Sequence, residues 1–119
     1  MKVLIVDDEG DFVEMTVLRL QREGYMVDVA LTGQHGIAKA SDFQPDVILL
    51  DLVMPQLDGW EVCRQLETNP KTSAIPIILV TAARPRDIEG MIQKTTVAHV
   101  LYKPFEQKTL LATLREVTV

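Results

Sequence analysis

Four apolar runs constrain this chain more than any other feature: Val3-Leu4-Ile5-Val6, Val47-Ile48-Leu49-Leu50, Ile77-Ile78-Leu79-Val80 and Val100-Leu101. A run that is apolar at every position reads as a strand buried on both faces, which is what parallel sheets produce. Parallel strands need a crossover of a dozen or more residues, usually a helix, and segments with helical periodicity lie between these runs. The chain is therefore restricted to an α/β sheet with helices on both faces. In such a sheet the strand C-termini share one edge, and ligands bind in the crevice there. At that edge the runs lead into Asp7-Asp8, Asp51, Thr81 and Lys103-Pro104.

The pattern alternates strand and helix five times, a (βα)5 doubly wound arrangement. The first strand is expected at Lys2–Val6 and the first helix from about Gly10 to Glu23, with Val13, Val17 and Leu20 on one face and Gly24 as its stop. Tyr25–Ala30 alternates (Val27, Asp28, Val29) and reads as an edge strand. A helix over about Gly33–Asp42 has a weak pattern with two glycines, and Pro45 closes the connection. The third strand, Asp46–Leu50, is almost wholly apolar and central. A loop Leu52–Leu57 containing Pro55 leads to Asp58, which can cap a helix running to about Glu67; Asn69-Pro70 stops it. The fourth strand is expected at Ile75–Val80, a helix at Pro85 to about Lys94 with Pro85 at N1, the fifth strand at Ala98–Tyr102, and a last helix at Glu106–Val117 with an apolar face of Leu110, Leu111, Leu114 and Val117.

At 119 residues this is one domain, residues 1–119, large enough to bury about two-thirds of its unfolded surface. Hydrophobic residues make up 47% and charged residues 24%, which argues against disorder. No apolar stretch approaches the roughly 18 residues a membrane span needs. Lys2 leads straight into a strand pattern, so no signal peptide is expected, and the single Cys63 fits a reducing, cytoplasmic setting. A net charge of −5 gives no electrostatic case for binding nucleic acid through this domain.

If the first and third strands are neighbours, the carboxylates of Asp7, Asp8 and Asp51 come within roughly 5 Å of one another. At an effective dielectric of about 20, each ionised pair then repels by about 3 kcal/mol. The Lys103 ammonium and a hard cation with oxygen ligands, Mg²⁺ or Mn²⁺, would relieve that repulsion. Helix capping would account for one aspartate but not for three at strand ends. Asp51 is the candidate nucleophile, because a carboxylate can accept a phosphoryl group as an acyl phosphate. The transfer needs positioning and charge neutralisation. In this scheme Asp7 and Asp8 hold the metal and Asp51 shares it. Lys103 bridges Asp51 and the phosphoryl group, and the Thr81 hydroxyl donates to a phosphoryl oxygen.

Asp7-Asp8, Leu49-Leu50-Asp51-Leu52-Val53-Met54-Pro55 with Asp58-Gly59, Val80-Thr81-Ala82 and Lys103-Pro104-Phe105 together resemble the receiver domain of bacterial response regulators, over the whole chain. The resemblance implies a flavodoxin-like sheet of order 2-1-3-4-5. It also implies phosphorylation of Asp51 by a phosphohistidine on a sensor histidine kinase or histidine phosphotransfer protein, within a two-component system or phosphorelay. Metal binding is implied for Asp8, Asp51, the backbone carbonyl of Val53 and, through water, Asp7. A cis bond is implied at Lys103-Pro104. Such a domain is a switch rather than an enzyme, assisting only its own phosphorylation and dephosphorylation. It passes its signal to a protein target or fused output domain, as a monomer or a weak phosphorylation-dependent dimer.

Two places depart from the family pattern. Val100 stands where receivers usually carry an aromatic residue that reports phosphorylation, and strand parity puts Tyr102 on the same face. Thr96-Val97 replaces the usual Gly-Ala step. Switch residues are thus expected among Thr81, Val100, Tyr102, Lys103 and Pro104. Val53 and Ala83, two positions after Asp51 and Thr81, carry no polar group to orient an attacking water, so a long-lived phosphate is expected. His35, His99, Cys63, Trp60, Arg84 and Arg86 fall outside this set. One alternative is an aspartate-nucleophile phosphatase of the haloacid dehalogenase type, whose nucleophile lies in an Asp-x-Asp pair after the first strand; here that place holds adjacent Asp7-Asp8. Another is a docking domain that is never phosphorylated. The sequence is compatible with a stand-alone receiver or with a piece of a longer regulator or hybrid kinase.

Overall fold

A computed structural model describes residues 1–54 and 58–118. Ten elements alternate: β1 (Lys2–Val6), α1 (Gly10–Arg22), β2 (Met26–Ala30), α2 (Gly33–Phe43), β3 (Val47–Leu50), α3 (Gly59–Thr68), β4 (Ile77–Thr81), α4 (Pro85–Ile92), β5 (His99–Tyr102) and α5 (Gln107–Val117). The strands form one parallel sheet in the order β2-β1-β3-β4-β5. This is the flavodoxin-like topology that the resemblance to receivers implies.

Successive strand residues point to opposite faces, so the apolar runs feed two cores. Val3, Ile5, Val47, Leu49, Ile78, Val80 and Leu101 meet Val13 and Leu20 of α1 and Leu110 and Leu114 of α5. Leu4, Val6, Ile48, Leu50, Ile77 and Leu79 face the other way, toward Ala40 of α2, Val62, Cys63 and Leu66 of α3, and Ile88 of α4. The weak pattern of α2 has a packing reason. Gly33, Gly36 and Ala40 are its buried residues, and a Cβ on Gly36 would lie 2.8 Å from both γ-carbons of Val6. Small residues let α2 settle close to β1. Thr32 caps this helix by accepting from the His35 N–H at 3.2 Å.

Helix α1 ends as expected at Gly24, whose φ of 88° is left-handed. There the Gly24 and Tyr25 N–H groups donate to Gln21 and Leu20 carbonyls. Asp58 caps α3 by accepting from the Glu61 N–H at 2.9 Å, and Pro85 begins α4. Most boundaries agree to within a residue, and the larger differences are in β4 and α4. β4 starts at Ile77 rather than Ile75, because Pro76 has no N–H for the ladder and the Ile75 N–H is turned back to Thr72 at 3.0 Å. β4 also runs through Thr81, which pairs with Tyr102. Helix α4 stops at Ile92, short of Lys94. Its last carbonyls are taken by tighter bonds, Lys94 N–H to Met91 and Thr95 N–H to Ile92, and the Thr95 hydroxyl also donates to Ile92 at 2.9 Å. Pro55, expected in the loop after β3, lies outside the described residues.

The start of α3 presses on the end of β3. A Cβ on Gly59 would lie 2.5 Å from Leu52 Cα and 2.8 Å from the Asp51 carbonyl oxygen, both backbone atoms that cannot step aside. Gly59→Ala is therefore expected to destabilise the domain by about 1–3 kcal/mol, seen as a lower urea midpoint with an unchanged m-value. Gly90→Ala is the control: a Cβ there meets nothing within 4 Å. In a helix interior it should be neutral or add up to about 1 kcal/mol.

Candidate functional site

The polar residues at the sheet edge are positioned by the ladder itself, one step beyond the apolar runs. The Asp7 N–H donates to the Ala30 carbonyl at 3.1 Å, the Asp51 N–H to Val6 at 3.0 Å, and the Lys103 N–H to Thr81 at 2.8 Å. Each of these three candidate residues thus hangs from the end of the neighbouring strand. Asp7 and Asp51 are buried and Asp8 is exposed at the rim. One carboxylate oxygen from each of the three lies within 4.8 Å of the others, close to the separation expected from strand spacing. Three hard oxygen donors at that separation, one facing water, fit a divalent cation such as Mg²⁺.

The two buried carboxylates are partly satisfied by local backbone. The Glu9 N–H donates to Asp7 Oδ1 at 2.9 Å, and the Val53 N–H donates to Asp51 Oδ1 at 3.1 Å. Neither Asp7 nor Asp8 is the N-cap of α1; that place belongs to Glu9, whose side chain makes no capping bond. Burial pushes the Asp51 carboxyl above its ordinary range and the Asp7 charge adds to the push, while the Val53 N–H and Lys103 oppose it. For Lys103, burial disfavours the ammonium. Hydrogen bonds to Glu9 and Asp7, with the charges of Asp7 and Asp51, outweigh burial and hold its pKa above the usual lysine value.

Lys103 departs from the expected bridge. Its Nζ donates to Asp7 Oδ2 and to Glu9 Oε2, both at 2.9 Å, whereas Asp51 Oδ2 is 3.6 Å away. The nearer carboxylates win because Asp7 and Glu9 precede α1 on the side where Lys103 emerges, above the Phe12 ring at 4.2 Å. Glu9 was not singled out in the sequence, although the third acid of Asp7-Asp8-Glu9 was the available signal. Thr81 is fully buried, and its Oγ1 accepts from the Ala83 N–H at 3.1 Å. Tyr102 is its register partner. Val100 and Tyr102 both pack, half-buried, on the α2–α3–α4 face. Val53 is exposed beside Asp51. The Lys103-Pro104 bond is cis.

The remaining polar candidates stay apart from this edge. Cys63 is fully buried and burial pushes its thiol up to about 12, which makes it inert. Trp60 packs on the α3 side of the core. Arg84 pairs with Asp87 at 3.2 Å, and His35 and His99 are exposed.

The family model described as response regulator receiver domain matches residues 3–115. The chain is a member of that family. The receiver is 36% identical to Protein PilH of Pseudomonas aeruginosa over 98% of its own length and 96% of PilH. It is 37% identical to response regulator PleD of Caulobacter vibrioides over 98% of its own length but 26% of PleD, so it spans about a quarter of that relative. Among solved structures, chemotaxis protein CheY4 of Vibrio cholerae superposes with a TM-score of 0.91 at 33% identity, covering 98% of this chain and 97% of that one. The receiver domain of a Pseudomonas aeruginosa sensor histidine kinase, solved with magnesium in its active-site cleft, gives 0.90 at 25% identity, over 98% and 96% of the two chains. Receivers are signalling domains of two-component systems. Among the described residues, no helix is long and apolar enough to cross a membrane.

A carboxyl whose pKa is raised by folding weakens the fold when ionised. In metal-free buffer the receiver should lose stability from this group as pH rises from the ordinary aspartate range through the raised pKa of the folded state. Asp51→Asn removes it. The variant is expected to be more stable at pH 7 by up to about 3 kcal/mol, with the gain shrinking toward acid pH. Urea titrations at a series of pH values measure this.

Proposed function

We propose that this receiver accepts a phosphoryl group on Asp51 from a phosphohistidine of a sensor kinase or phosphotransfer protein, and that the modified domain changes its contacts with a protein target or output domain. The observation that carries it is the buried Asp51 carboxylate, within 4.8 Å of oxygens of Asp7 and Asp8 and 3.6 Å from Lys103. An Asp51 oxygen attacks phosphorus, the bond from phosphorus to the donor breaks, and the donor leaves with the bonding pair. Mg²⁺ held by Asp7, Asp8, Asp51 and the Val53 carbonyl would neutralise charge on the transferring oxygens. Asp51 is oriented by its own N–H bond to Val6 and by the Val53 N–H. Lys103 supplies a positive charge that does not have to be recruited from solvent. The Thr81 hydroxyl proton, at the next strand end, is the donor for a phosphoryl oxygen.

Movement of Thr81 toward that oxygen would break its bond to Ala83 and alter the surface against its register partner Tyr102. Tyr102, rather than Val100, then takes the reporting role. New charge-assisted bonds to Thr81 and Lys103 are worth about 1.5–3 kcal/mol each. Moving a population from mostly inactive to mostly active needs about 5.5 kcal/mol. Phosphorylation alone therefore activates partially, and binding of a partner to the active form completes the shift.

Incubation with acetyl phosphate and Mg²⁺ should add the mass of one phosphoryl group to the wild type. Asp51→Asn or chelation of the metal should abolish the addition, and Lys103→Ala should slow it by roughly 100-fold or more. Tyr102 ring resonances should shift in the same sample. Failure of the wild type to gain mass, or gain undiminished in Asp51→Asn, would refute the assignment. Decay of the phosphorylated form separately tests the missing water-orienting groups. The radiolabel should persist for minutes to hours, and Val53→Asn should shorten its lifetime several-fold; loss within seconds in the wild type would contradict the reading of Val53 and Ala83.

A further inference from the structure

Lys103 sits among more acceptors than phosphoryl transfer on Asp51 calls for. Its Nζ is 2.9 Å from Asp7 and from Glu9, and farther, 3.6 Å, from Asp51. Asp7 is buried, and its N–H is fixed to Ala30. The Glu9 side chain is 61% exposed and has no other partner among the described residues. The Lys103 ammonium lies over the Phe12 ring, 4.2 Å from Nζ to the ring centre, and Phe12 is braced edge-on by Phe105 at 6.0 Å. Three carboxylates and an aromatic ring thus surround an ammonium with three protons. Glu9 is the one contact that can be given up at small cost, because its carboxylate has water to return to. Asp7 has none.

We propose that Glu9 is a positioning residue that holds the Lys103 ammonium toward the α1 side of the site until a phosphoryl group on Asp51 takes it over. Resting on the assignment of Asp51 as phosphoacceptor, this adds a competitor to the switch. In the free domain Glu9 and Asp7 hold the ammonium nearer to themselves, at 2.9 Å, than to Asp51, at 3.6 Å. When the phosphoryl group arrives, its oxygens offer a stronger acceptor. Lys103 keeps Asp7 and the Phe12 ring and exchanges only Glu9. The Glu9 carboxylate then swings into water at the first turn of α1. No covalent bond changes in this exchange. Its consequence is kinetic: part of the cost of capturing a phosphoryl group is the release of Glu9, and part of the force that returns Lys103 after hydrolysis is its recapture.

Two substitutions separate this from a mere effect of rim charge on an anionic donor. Glu9→Gln removes the charge and weakens the acceptor. Glu9→Asp keeps the charge but is shorter by one carbon–carbon bond, about 1.5 Å, and as an N-cap aspartate it turns toward the N–H groups of its own helix. Initial rates of phosphorylation of the intact chain by acetyl phosphate with saturating Mg²⁺ should rise roughly two- to fivefold in both variants, the span an ion pair with one exposed member supports. Urea midpoints are measured alongside to show that the variants are folded. A Glu9→Asp rate equal to that of the wild type, with Glu9→Gln faster, would mean that charge repulsion alone acts and would overturn the proposal. So would wild-type rates in both variants. If the wild type itself gains no phosphoryl group on Asp51, the assignment of the site fails instead, so the two failures are told apart.

Discussion

Two carboxylates shielded from water, Asp7 and Asp51, share the ammonium of Lys103, and the rest of the sheet edge is arranged around that imbalance. Two negative charges with one positive charge leave the site short of cation. Asp51 bears the deficit, being farther from Nζ than Asp7 and raised in pKa by burial and by its neighbour's charge. A folded domain does not gain stability from such an arrangement. Under the proposed assignment, it offers a place where a divalent ion and a phosphoryl group would meet a field that already exists. Stability is supplied elsewhere, by two apolar cores that cover both faces of the sheet.

Precision at the edge comes from backbone rather than from side-chain packing. Asp7, Asp51 and Lys103 each donate an N–H to the last carbonyl region of an adjacent strand, so a shift of one residue in any strand would move its active group to the opposite face. The close approach of Gly59 to Leu52 and to the Asp51 carbonyl adds a second restraint, from the α3 side. The acidic pocket is therefore part of the sheet, while Asp8, Glu9 and Val53 at the rim are exposed. That division suits a switch: in the proposed function the fixed part would hold the phosphoryl group and the exposed rim would respond. The proposed exchange of Lys103 between Glu9 and a phosphoryl oxygen uses the same division, a mobile acceptor set against a fixed one.

Periodicity alone carried the alternation of elements, the doubly wound class and the central place of Val47–Leu50, because burial on both faces leaves no polar position in a strand. The strand order 2-1-3-4-5 and the cis bond at Lys103-Pro104 came from the resemblance and are present in the structure. The apolar Ile75 extends the pattern of β4 toward the N-terminus, but Pro76 deprives that stretch of a ladder donor and the strand starts at Ile77. The α2 helix looked weak because its contact face is made of glycine and alanine, residues whose contribution is closeness rather than hydrophobic area.

By itself the sequence determined that Asp7, Asp8, Asp51, Thr81 and Lys103 lie along one edge, since parallel strands joined by helical crossovers bring every strand end to the same side of the sheet; the strand order decides which of them adjoin. Only the tertiary structure decided which carboxylate Lys103 prefers. That choice depends on differences of less than 1 Å among three oxygens, on the Phe12 ring beneath the ammonium, and on which acids can reach water. Distances of that size are set by how α1 packs against β5 and α5, through contacts between residues more than 90 positions apart, and no local pattern in the chain encodes them.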